Sequence, residues 1–168
     1  MKVRSVLTGC SVVCSLFFGS SLAKASEVKP GVVAFDGVLC DVVRTIASKS
    51  ADVYCVIPST GDPHFYRLKP KDLQAIAKAD IVFHNGFYLT PSALKLSTKA
   101  SVLAVAEKAM PRYKGKDPHV WHDPNNVSAM STIIEQSLQK VLPESEVSAL
   151  NSRTESTKAV LKDLSNWT

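Results

Sequence analysis

Residues 61–86 read GDPHFYRLKPKDLQAIAKADIVFHNG. The stretch opens on a Gly/Pro-punctuated polar loop, which spans 59–68. Pro70 then suits the first turn of a helix, and Leu73, Ile76 and Ala77 give that helix one apolar face. Asp80–His84 is a short buried strand closed by Asn85-Gly86. Loop, helix and strand in this order form half of a strand–helix–strand unit, so the chain reads as an α/β protein.

The flanking sequence extends the alternation. GVVAF (31–35) is a buried strand, and Val38, Leu39, Val42, Val43 and Ile46 recur at helical spacing. VYCVIP (53–58) is a second strand stopped by Pro58. After the third strand, a short helix opens at Pro91 and covers 91–98, and VLAV (102–105) is a fourth strand. Residues 110–126 read as a long irregular loop, a length that in compact domains points to function or disorder. Two helices finish the chain. One spans 127–141, with Asn125 or Asn126 as N-cap, and the other spans 144–167, with Val147, Leu150, Val160, Leu161, Leu164 and Trp167 as its apolar positions. Such alternation implies a four-stranded parallel sheet flanked by helices.

The amino terminus reads as a secretory leader over 1–25. Lys2 and Arg4 are its basic start, Val12–Ala23 its apolar run and Ala23-Lys24-Ala25 its cleavage pattern. The run is short and rich in Ser and Gly for a membrane span. Leu7-Thr8-Gly9-Cys10 has the form of a lipobox, but the apolar run follows it rather than preceding it. The leader holds three of the 20 basic residues and none of the 15 acidic ones, leaving 17 against 15. No basic cluster remains that would argue for nucleic acid. Export leaves Cys40 and Cys55, either paired or as two buried thiols.

Asp-Pro-His occurs twice, at 62–64 and again within DPHVWHDP at 117–124. Ligands of parallel sheets bind beyond the carboxyl ends of the strands. His64 follows the second strand, His84 ends the third, and His119 and His122 follow the fourth, so all four histidines gather at one edge. Imidazole is the commonest metal ligand, and its second nitrogen needs an acceptor to fix the tautomer. Asp62 and Asp117 are candidate acceptors, and the intervening proline stiffens the mount. The competing reading is a pair of solvated turn histidines, since no local signature such as H-E-x-x-H is present.

Taken together, GDPHFYRLKPKDLQAIAKADIVFHNG (61–86) and DPHVWHDPNNV (117–127) resemble the zinc- and manganese-binding solute-binding proteins of bacterial ABC transporters. The resemblance covers the chain from GVVAF to the terminal helix. It implies that His64 and His119 are metal ligands for Zn2+ or Mn2+, with His122 and His84 as secondary candidates. It implies that Trp121, Asp123 and Pro124 shape the second loop, and Phe65 and Tyr66 are expected to pack around the first. The family's other two ligands come from a second α/β lobe reached through a long connecting helix. On this reading residues 26–143 form the amino-terminal lobe, residues 144–168 begin the connecting helix, and the second lobe is missing. Thr90 and His122 depart from the family pattern, at positions that are often acidic and usually apolar.

The function expected is extracytoplasmic capture of a metal ion for a membrane permease, with a separate chain as one source of the absent half. Two other readings stand beside it. One is a secreted metallohydrolase using water on an under-coordinated ion, with Asp123 as the only nearby base. The other is a degenerate remnant without activity.

Overall fold

The computed structural model describes residues 28–167. The leader, with Cys10 and the lipobox reading, lies outside them. Four strands form one sheet: β1 (Gly31–Ala34), β2 (Asp52–Cys55), β3 (Ile81–His84) and β4 (Ser101–Ala104). Their order is β2-β1-β3-β4, and every pair is parallel. The register places Val32 beside Val53 and Ile81, and Val82 beside Val102. Beyond β2, Val56 and Ile57 continue along β1, their N–H groups donating to the carbonyls of Ala34 and Phe35.

Side chains alternate across a strand, so each strand feeds two cores. Val32, Ala34, Ile81 and Phe83 face one way, where they meet Leu39, Val43 and Ile46 of α1 (Gly37–Ala47), Met130, Ile134 and Leu138 of α4 (Pro124–Leu138), and Leu150 of α5 (Glu144–Ser165). Val33, Phe35 and Val82 face the other way, against Ile76 of α2 (Pro70–Lys78) and Ala93 of a 3-10 helix at Pro91–Lys95. Each large side chain buried in this way contributes about 1.5–3 kcal/mol. A short α3 (Val105–Ala109) follows β4 directly, where the pattern had extended the strand to Val105.

Three local details differ from the sequence pattern. The face of α2 is rotated: Leu73 is 52% exposed and Ala77 is exposed, whereas Asp72 is fully buried beside Ile76. The irregular stretch after α3 is shorter than expected, because Val120–His122 is a 3-10 turn and α4 starts at Pro124. The cap of α4 is Asp123, whose carboxylate accepts from Asn125 N, and not Asn125 or Asn126. Asp-Pro at N-cap and N1 meets both demands of a helix start, an acceptor followed by a residue that needs no donor.

Cys40 of α1 and Cys55 of β2 form a disulfide, with Cα atoms 5.8 Å apart. Arg153 fastens α5 to the end of α1, donating to Ile46 O at 2.6 Å, Ala47 O at 3.3 Å and Ser50 Oγ at 3.0 Å. The later part of α5 leaves Val160 and Leu164 exposed, and Trp167 just beyond its end is exposed too. Among the described residues no helix is long and apolar enough to cross a membrane.

Candidate metal centre

The two Asp-Pro-His segments are one local device used twice. Asp62 Oδ1 accepts the backbone N–H of His64 at 2.8 Å, and Asp117 Oδ1 accepts that of His119 at 2.9 Å. Proline fixes the residue between, so each histidine leaves its turn in a set direction. The loops that carry them follow β2 and β4, the two outer strands of the sheet.

The two rings meet. His64 Nε2 and His119 Nε2 are 3.2 Å apart, with ring centroids 5.2 Å apart and planes at 69°. Asp117 Oδ1 also lies 2.6 Å from His119 Nδ1. A carboxylate only accepts, so Nδ1 carries the proton and Nε2 presents a lone pair toward His64. Hydrogen bonds from the His119 backbone and ring hold the Asp117 carboxyl below its ordinary range. Trp121 stands edge-on to His119, centroids 5.2 Å apart, and limits how far that ring can swing.

Each loop is tied down from below. Asp72 is the anchor of the first. Its Oδ2 accepts from Tyr66 Oη at 3.0 Å and from Lys69 N at 2.8 Å, and its Oδ1 accepts from Tyr54 Oη at 2.7 Å. Burial pushes the Asp72 carboxyl up, but the hydrogen bonds from Lys69, Tyr54 and Tyr66 outweigh it and the net direction is down. Asn85 ties the second loop, its Nδ2 donating to Pro118 O at 3.0 Å. The turn after Asn85 runs through positive φ at Gly86, Phe87 and Tyr88. Glu107 accepts from Phe87 N at 2.6 Å. A Cβ at Gly86 would fall 2.7 Å from Glu107 Cγ, so both space and φ require glycine there.

The expected residues are therefore placed unequally. His64 and His119 come together. His122 is exposed, its ring centroid 6.4 Å from that of His119. His84 is buried at the end of β3, where alternation puts it on the α2 side with Val82, and burial lowers its pKa while Glu107 partly raises it. Among the described residues no third His, Cys, Asp or Glu gathers with a pair to complete a metal-holding group. Asp62 serves the backbone of His64 rather than its ring, unlike Asp117. Phe65 does not pack around its loop but stands 83% exposed. The sequence pattern assigns no role to Asp72 or Glu107, and marks Asn85 only as the end of a strand and not as the tether of Pro118. Lys69-Pro70-Lys71-Asp72, with its acidic residue three positions after the cap, was the available signal for the first.

Comparison with known proteins points the same way. The chain is 31% identical over 128 residues to the metal ABC transporter substrate-binding lipoprotein SsaB of Streptococcus sanguinis, covering 65% of this chain and 41% of that one. It is 30% identical over 177 residues to the manganese-binding lipoprotein MntA of Halalkalibacterium halodurans, covering 99% and 56%. Its structure superimposes on the periplasmic zinc binding protein TroA from Treponema pallidum with a TM-score of 0.75 at 26% identity, over 83% of this chain and 53% of that one. The chain thus spans about half the length of the relatives it matches. These relatives are named as substrate-binding or metal-binding proteins, which leaves the metallohydrolase reading without support. The family model of ZnuA, the periplasmic component A of the zinc-uptake complex, matches residues 32–168, and the chain belongs to that family.

Proposed function

We propose that this chain captures a divalent transition-metal ion outside the cytoplasm and passes it to a membrane permease of an ABC importer. The observation that carries the reading is the 3.2 Å separation of His64 Nε2 and His119 Nε2. Two imidazoles bound at about 2.0–2.1 Å to one tetrahedral zinc stand about 3.3 Å apart. The pair is thus spaced as two ligands of one ion, with Asp117 holding the second in the metal-binding tautomer. Two nitrogen donors favour zinc over manganese, which prefers oxygen. The relatives are named for zinc, manganese and iron, so the donor set of this chain is the basis for the choice.

The two histidines would hold the ion on one side only. Its remaining positions fall to water or to groups outside the described residues. An extracytoplasmic setting is supported by the leader pattern, by lipoprotein relatives and by the disulfide, which persists in oxidising compartments. Residues 26–143 would then act as the metal-holding lobe and α5 as the start of a connection.

Isothermal titration of the chain with Zn2+ and Mn2+ tests this. Zinc is expected to bind more tightly, and His64→Ala and His119→Ala are each expected to weaken it at least about tenfold. Binding by both variants at the parent's affinity would overturn the assignment.

A further inference from the structure

We infer that Asp72 is a positioning residue for metal capture, acting on His64 through Tyr66. The inference rests on His64 being a ligand. It also rests on how the loop between β2 and α2 is held.

That loop leaves the sheet after Ile57 and returns at Lys69. Apart from the His64–His119 ring contact, its hydrogen bonds near the histidine are local: Gly61 N to Pro58 O and His64 N to Asp62 Oδ1. Neither fixes the loop to the body of the protein. The bonds that do so after His64 converge on one carboxylate. Tyr66, two residues beyond His64, donates to Asp72 Oδ2, and so does Lys69 N at the end of the loop. Tyr54, before the loop in β2, donates to the other oxygen. Asp72 is 0% exposed, and among the described residues no salt bridge reaches it.

A buried carboxylate without a counter-ion is costly unless its oxygens are fully bonded. Here three neutral donors satisfy it, and hydrogen bonds to a charged acceptor are roughly twice as strong as neutral ones. Capping α2 alone would need only the Lys69 bond. The two tyrosines give the residue a further role, joining strand, loop and helix at one point. Only the Tyr66 arm leads to His64. The Tyr54 arm joins strand β2 to the carboxylate, and its hydroxyl donates to Asp72 and not to the loop. A ligand must be held within about 0.5 Å of its productive place, so the slack released at Tyr66 falls on the imidazole.

The two tyrosines therefore provide matched substitutions. Tyr66→Phe and Tyr54→Phe each delete one hydroxyl bonded to the same carboxylate. The full chain and both variants are titrated with Zn2+, and their thermal unfolding is recorded without metal. Co2+-loaded samples are compared by visible absorption, which reports ligand geometry. The expected result is a similar loss of thermal stability in both variants, with zinc affinity falling about tenfold and the Co2+ bands shifting only in Tyr66→Phe. Equal affinities and identical Co2+ spectra in the two variants would overturn the positioning role, leaving Asp72 a structural residue. His64→Ala is run alongside. If it binds zinc like the parent, the ligand assignment itself has failed, and the inference falls with it.

Discussion

His64 and His119 are separated by 55 positions in the chain, yet their Nε2 atoms lie 3.2 Å apart. Neither loop reaches the other by its own geometry. The parallel sheet sets them at the same edge, because each follows a strand that runs in the same direction. Asp72 beneath one loop and Asn85 beneath the other then fix their heights. The fold contributes convergence, and a handful of polar side chains contribute alignment.

Asp117→Ala removes the acceptor from His119 Nδ1 and frees the ring to take the other tautomer. Loss of such an outer partner typically weakens metal binding about 10–100-fold. Asp62→Ala loses only a backbone turn bond, so its effect is expected to be smaller. Competition with a chelator of known affinity orders the two variants. A larger effect at Asp62 would contradict the tautomer argument.

His84 is 7% exposed, and burial lowers its pKa from 6.5. A base with a depressed folded pKa is neutral in the native protein and charges more readily in the unfolded chain. Its contribution to stability is present above pH 6.5 and is lost as pH falls below that value through the folded pKa. Urea unfolding between pH 7.5 and pH 5 is expected to show this loss, and His84→Gln to flatten it. An unchanged slope in the variant would assign the acid sensitivity elsewhere.

The phenol of Tyr54 is pushed up to about 12, first by burial and then by its bond to the Asp72 carboxylate. A raised folded pKa gives stability that is complete below the unfolded value near 10 and is lost as pH rises toward 12. Tyr54→Phe is expected to remove that alkaline loss, measured by unfolding midpoints from pH 9 to pH 11.5.

Much of the architecture was legible in the sequence. Apolar runs of four to six residues between helical periodicities gave four strands, and their alternation gave a parallel sheet. The face of α2 was not legible from hydrophobicity, because Asp72 is buried by hydrogen bonding while Leu73 faces solvent. Pattern reading places a charged residue outside, and only its three donors reverse that. The histidine pair was suggested by the repeated Asp-Pro-His. The different work of Asp62 and Asp117 depended on ring orientation, which spacing does not encode.

The Cys40–Cys55 disulfide closes a loop of 15 residues, for which chain entropy predicts about 3 kcal/mol. Unfolding by urea with and without reductant is expected to differ by up to that amount, and Cys40→Ser with Cys55→Ser is expected to match the reduced protein. Equal midpoints under both conditions would show that the bond does not stabilise this chain.

The shared ion is best examined at the metal itself, by X-ray absorption at the zinc edge of the loaded chain. Two imidazole shells are expected, with nitrogen at about 2.0–2.1 Å, falling to one in His64→Ala and to one in His119→Ala. A spectrum with no imidazole scattering, or one that neither substitution alters, would contradict metal capture by this pair.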